Sequence, residues 1–152
     1  MSATHFITIP TFHRKRIFQN QRYGELLTET LMHLRQEFKV LLHDYVIMPD
    51  HVHLLLTTYG AVDATTVVRT LQTRFANELT NQFGYSGELW EPAIRDHQVL
   101  NADDCTACVR QIHSNPVRGG FCEKPTEYQM SSPSSRWVLD PLPDPLREAQ
   151  SV

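Results

Sequence analysis

The twelve residues YVIMPDHVHLLL, positions 45–56, decide how this chain folds. Tyr45, Val46, Ile47 and Met48 continue an apolar run begun at Val40, Leu41 and Leu42, rich in the branched and aromatic types that pack well on a pleated sheet. Pro49 and Asp50 interrupt it with turn chemistry, and residues 51–58 resume as a second strand, so the two runs read as a hairpin. Side chains alternate along a strand. Val52, Leu54 and Leu56 therefore face a core, while His51 and His53 share the opposite face, about 6–7 Å apart along the backbone. Two imidazoles on one face suit a divalent metal ion. The same spacing also describes two solvent-facing histidines on a half-buried strand.

Outward from the hairpin, the periodicity changes. Upstream, residues 4–11 alternate weakly and predict a strand, and residues 23–39 carry Leu26, Leu27, Leu31, Leu34 and Phe38 at helical spacing. Downstream, Val67, Val68, Leu71, Phe75 and Leu79 predict a helix over residues 62–83, closed by Gly84. Residues 88–100 read as a strand bent at Pro92, and residues 101–115 as a last helix. Asn101 or Asp103 would cap that helix, acidic residues fill its first turn, and Pro116 is expected to end it. The first six elements spell strand, helix, strand, strand, helix, strand. That order predicts an α+β, ferredoxin-like split β-α-β domain over residues 1–130, an antiparallel sheet with its helices on one face. Residues 131–152 are rich in Pro and Ser and read as an extended, partly disordered C-terminal tail.

Composition bounds the function. A chain of 152 residues buries one core. No apolar run approaches the roughly 18 residues that cross a bilayer, and the N-terminal charges follow the apolar stretch, so no membrane partner and a cytoplasmic location are expected. Three cysteines then read as reduced thiols. A net charge of −3 excludes a general nucleic-acid coat, leaving only local basic patches: His13 with Arg14, Lys15 and Arg16; Arg69 and Arg74; Arg118 with Lys124. Trp90 reads either as a stacking platform for bases or as core.

The segment around His51 and His53 resembles the histidine–hydrophobic–histidine motif of HUH-type single-strand DNA endonucleases. Further stretches narrow the resemblance to the REP-associated tyrosine transposases: Glu88-Leu89-Trp90-Glu91-Pro92, Arg95-Asp96-His97, Ile112 through Gly120, and Pro125-Thr126-Glu127-Tyr128 with Ser131-Ser132. It covers residues 4–132. The resemblance implies a transposase that binds single-stranded DNA beside a hairpin, as monomer or homodimer, with Mg or Mn as the divalent metal. It places the metal ligands at His51, His53 and Asn115, whose amide oxygen is a hard donor, and His97 near the site. Arg14, Lys15, Arg16 and Arg118 are the candidate DNA contacts.

The family's nucleophilic tyrosine belongs four residues before the third ligand, on the same helical face. Gln111 stands there. An amide can hydrogen-bond or coordinate through oxygen, but it does not attack phosphorus. Tyr23, Tyr45, Tyr59, Tyr85 and Tyr128 are the alternatives, Tyr128 being in a segment mobile enough to consider, although the resemblance implies a structural role for it. His97 and His113 are candidate bases for an attacking water. Cys105, Cys108, His113 and Cys122 approach a zinc-knuckle spacing, but the last gap is too long and the stretch is helical; the thiols otherwise pack the helix on the sheet. Three functions follow: strand cleavage and rejoining by another nucleophile, catalytically inactive DNA binding by a domesticated element, and a metal-dependent nuclease that activates water.

Overall fold

In the computed structural model, which describes residues 1–147, β1 (Ser2–Pro10) leads through two short 3-10 turns into α1 (Gln21–Glu37). The hairpin β2 (Leu41–Met48) and β3 (His51–Tyr59) follows, then α2 (Ala64–Phe83), β4 (Arg95–Val99), α3 (Ala102–Arg118) and the single turn α4 (Asp144–Arg147). The strands form one sheet in the order β2-β3-β1-β4, every neighbouring pair antiparallel. This is the split β-α-β arrangement expected from the element order.

Strand alternation sorts the sequence onto two faces. Ile7, Ile9, Leu42, Ile47, Val52, Leu54 and Leu56 join Leu27, Leu31, Leu34, Val68, Leu71, Phe75 and Leu79 of α1 and α2 in the larger core. Each fully buried side chain of this kind contributes about 1.5–3 kcal/mol. The two helices of the split unit thus share one face. The opposite face is covered by α3, whose Cys105, Cys108 and Ile112 pack on Phe6, Val46, Met48, Leu55 and Val99.

Caps set the helix starts. Asn20 accepts from the Arg22 amide, Asp63 from Thr65 and Asn101 from Asp104, so Asn101 rather than Asp103 begins α3. Gly84, at φ 67°, closes α2 in the left-handed conformation. Two expectations need correction. The helix does not stop at Pro116 but runs through it to Arg118. Pro116 sits in the last turn, where it removes a single amide donor, and the Gly119 amide still donates to the Asn115 carbonyl. The strand expected over residues 88–100 shortens to β4. Trp90 forms only an isolated bridge to Thr11 and packs on Phe18 and Phe75, which favours its core reading.

Residues 128–140 run beside β2. The Ile47 amide donates to the Met130 carbonyl, and the Tyr128 hydroxyl donates to the Ile47 carbonyl. Ser132 Oγ accepts from the Tyr45 amide and donates to the Tyr45 carbonyl. Asp140 donates its amide to the Leu42 carbonyl and accepts the Leu42 amide on Oδ2, which also takes Arg35 Nε. Leu146 of α4 is buried beside α3.

Candidate metal centre and the cleft around it

The register puts Pro10 opposite His51, Thr8 opposite His53 and Phe6 opposite both Leu55 and His97. Thr8, Phe6, the two histidines, Arg95 and His97 therefore share the face that α3 crosses. Between α3 and the sheet lies a cleft of about 540 Å³. Helical spacing brings Asp104, Cys108, Gln111 and Asn115 of α3 to its wall.

The two histidine rings stand 4.8 Å apart, centroid to centroid. His51 Nδ1 is 2.7 Å from Asp50 Oδ1, and Asp50 Oδ2 in turn takes Arg14 Nε at 3.2 Å. His53 Nδ1 is 2.9 Å from Thr8 Oγ1, and its ring stacks on Phe6. With both Nδ1 atoms engaged, each ring keeps Nε2 for a ligand, the orienting arrangement that metal-binding histidines require. His51 Nε2 lies 3.4 Å from the Asn115 amide nitrogen, and a half-turn of that amide presents its oxygen at the same place. Burial, then the positive charges of His51, Arg95, Arg118 and Arg14, push His53 down to about 3. Its ring is therefore neutral near pH 7 and its lone pair free. Burial alone would raise Asp50, but the His51 hydrogen bond and the Arg14 charge hold it below the usual carboxylate value. Two imidazoles, an amide oxygen and room for water fit a six-coordinate divalent cation.

The basic residues divide. Arg14 and Arg95 line the cleft. Arg14 reaches it from a backbone in which both His13 and Arg14 adopt positive φ, 53° and 54°. Lys15 instead lies over the Phe12 ring and Arg16 over Phe121, while Arg118 acts on His53 through its charge without lining the wall. Arg69 is tied to Gln72 and the Pro92 carbonyl, and Arg74 to Glu37. Sequence reasoning missed Arg95 as a cleft cation; its place two residues before His97 on one strand was the available signal.

Gln111 is an exposed member of the cleft wall, one turn before Asn115. No tyrosine lines the cleft among the described residues. Tyr45 is buried, Tyr23 packs on Phe83 and Tyr85, and burial holds the Tyr128 hydroxyl near 12 while it bonds the Ile47 carbonyl. Tyr128 is thus fastened, not mobile. His97 Nε2 is 2.7 Å from Asp104 Oδ2 at the cleft mouth. His113 points elsewhere, to the buried Asp44 at 2.7 Å. The knuckle-like set does not assemble among the described residues: Cys105 and Cys108 are core thiols, and His113 is engaged by Asp44.

Known proteins are similar to this chain in sequence and fold. The REP-associated tyrosine transposase of Escherichia coli strain K12 is 22% identical over 131 residues, 86% of this chain and 76% of the relative. A solved REP-associated tyrosine transposase bound to a REP hairpin superposes with a TM-score of 0.72 at 21% identity, covering 85% of this chain and 75% of the other. A crystal structure of a candidate transposase from Deinococcus radiodurans R1 gives 0.58 at 19% identity, over 70% of this chain and 86% of the other. The family model described as "Transposase IS200 like" matches residues 2–95; Gln111 and Asn115 lie beyond that match. Because it spans more than half of the chain, from β1 to the start of β4, and takes in His51 and His53, the chain belongs to the IS200-like transposase family.

Proposed function

We propose that this transposase-family chain binds single-stranded DNA beside a hairpin in the cleft between α3 and the sheet, holds a divalent Mg or Mn ion there, and forms no ester between protein and DNA at residue 111. The carrying observation is Gln111 on the cleft wall one turn from Asn115, with no tyrosine lining the cleft among the described residues. His51, His53 and Asn115 are the metal ligands. The cation would supply polarisation and orientation of a bound phosphate. Thr8 and Asp50 fix the two imidazoles, Arg14 and Arg95 neutralise neighbouring phosphates, and the Gln111 amide donates a hydrogen bond to the DNA without attacking it. The REP hairpin carried by the solved relative supports a hairpin ligand here.

All these side chains come from one chain, so a monomer suffices. No described helix is long and apolar enough to cross a membrane, and a cytoplasmic location suits a DNA ligand. One observation favours a second reading, hydrolysis by water: His97, held by Asp104, opens on the same cleft and has the chemistry of a general base.

The test is a cleavage assay on 5′-labelled, hairpin-flanked single-stranded DNA with Mg²⁺ or Mn²⁺, resolved under denaturing conditions. Binding without cleavage by the wild type, with cleavage and a covalent adduct gained in Gln111→Tyr, is the expected result. An adduct formed by the wild type overturns the proposal. Nicking without an adduct, lost in His97→Ala, establishes the second reading instead.

A further inference from the structure

The mouth of the cleft gathers three unlike donors that the metal centre above does not use. His97 comes from β4, Asp104 from the first turn of α3, and Cys108 from the same helical face one turn later. One ligand atom from each lies within 4.8 Å of the other two. Zinc bonds of about 2.0–2.3 Å place tetrahedral ligand atoms about 3.3–3.8 Å apart, so a small rotamer adjustment closes the set. The His97 side chain is 54% exposed and Asp104 30%, which lets a cation enter and leaves a position open to the cleft. Cys108 is buried behind them.

We propose that His97 Nε2, a carboxylate oxygen of Asp104 and Cys108 Sγ form a second cation site, selective for a thiophilic divalent ion of the zinc class. Seven residues of helix, about 10 Å along the axis, separate Cys108 from Asn115, so this site and the one at His51 and His53 hold different ions. Their chemistry also sorts the ions: a thiolate selects zinc-like cations, whereas Mg²⁺ and Mn²⁺ prefer oxygen. Binding exchanges the thiol proton for the cation, giving a thiolate–metal bond and one proton released to solvent. The cation also replaces the contact between His97 and Asp104 with two metal bonds. It thereby removes His97 as a base, so added Zn²⁺ would suppress any His97-dependent nicking. The site does not depend on the DNA-binding reading.

Titration of the metal-free, reduced full chain with Co²⁺ tests it. The wild type should develop a near-ultraviolet thiolate-to-cobalt charge-transfer band that Zn²⁺ displaces. Cys108→Ser should abolish the band, and His97→Ala, at an exposed position that leaves the fold intact, should weaken Co²⁺ binding about tenfold or more. Cys122→Ser and His51→Ala should leave the band unchanged. No band in the wild type, a band surviving in Cys108→Ser, full affinity in His97→Ala, or a band lost in Cys122→Ser or His51→Ala each overturns the assignment.

Discussion

Replacing Asp140 by alanine tests how firmly the C-terminal segment is fastened to the sheet. The carboxylate Oδ2 accepts two hydrogen bonds, from Arg35 Nε and from the Leu42 amide, both at 2.9 Å. A hydrogen bond to a charged group contributes about 1.5–3 kcal/mol. The Arg35 and Asp140 side chains are 19% and 23% exposed, so solvent screens them and the lower figure applies to each. Asp140→Ala should then cost about 3 kcal/mol at pH 7, or a fall of about 6–12 °C in Tm for a chain of this size. Burial alone would raise the Asp140 carboxyl, but the Arg35 and Leu42 hydrogen bonds and the Arg35 charge hold it below the usual value. Stability from a depressed carboxyl is complete above the unfolded value of about 3.9 and disappears as pH falls through the folded one. Urea unfolding of wild type and variant should therefore differ most at pH 7, and the difference should shrink as pH falls below about 3.9. Stabilities within about 0.5 kcal/mol of each other at pH 7, the range of an unremarkable surface change, would refute the reasoning.

Three further outcomes follow from the cleft and its supports. Thr8→Val removes the partner of His53 Nδ1 and should weaken Mn²⁺ binding about 10–100-fold by calorimetry, and unchanged affinity would remove Thr8 from the site. Arg95→Ala should lower the salt slope of single-strand binding by about 0.7, the share of one phosphate contact, whereas Lys15→Ala should leave the slope alone. Similar slopes for both variants would show that the cleft is not where DNA lies. His113→Ala strands the buried Asp44 and should destabilise the fold by about 2 kcal/mol, less than a fully buried pair because His113 is 38% exposed on its side chain. Adding Asp44→Asn should recover most of that loss in urea unfolding, and failure to recover it would mean the pair is not what His113 supports.

The hairpin and both α-helices of the split unit were legible in the sequence because strand and helix periods each repeat over several turns of chain. Val52, Leu54 and Leu56 point away from His51 and His53 as alternation requires, and that rule alone placed the two imidazoles together. Thr8 was illegible for a different reason, and Arg95 could be placed only relative to His97 on its own strand. Both reach the site through the pairing of β1 with β3 and β4, and register between distant strands leaves no trace in local spacing. The extent of β4 was overestimated because Leu89 and Trp90 supply strand-like apolar content while packing as connection. Residues 131–152, of which 148–152 lie outside the described residues, read as tail because Ser132, Asp140 and Leu146 bind singly, without any repeat that a periodicity argument detects.

Those single contacts have a consequence for association between molecules. The outermost strand of a sheet offers unpaired backbone groups, a template on which another chain can build. On β2 the amide and carbonyl of Leu42, Tyr45 and Ile47 are all taken by residues 128–140 of the same chain. The segment thus plugs one rim of the sheet by mimicking a fifth strand with side-chain oxygens as well as backbone. The other rim is β4, only five residues long and adjacent to the cleft. A chain shortened before Tyr128 would uncover the longer rim and acquire a tendency to swap strands or aggregate that the intact chain is built to avoid.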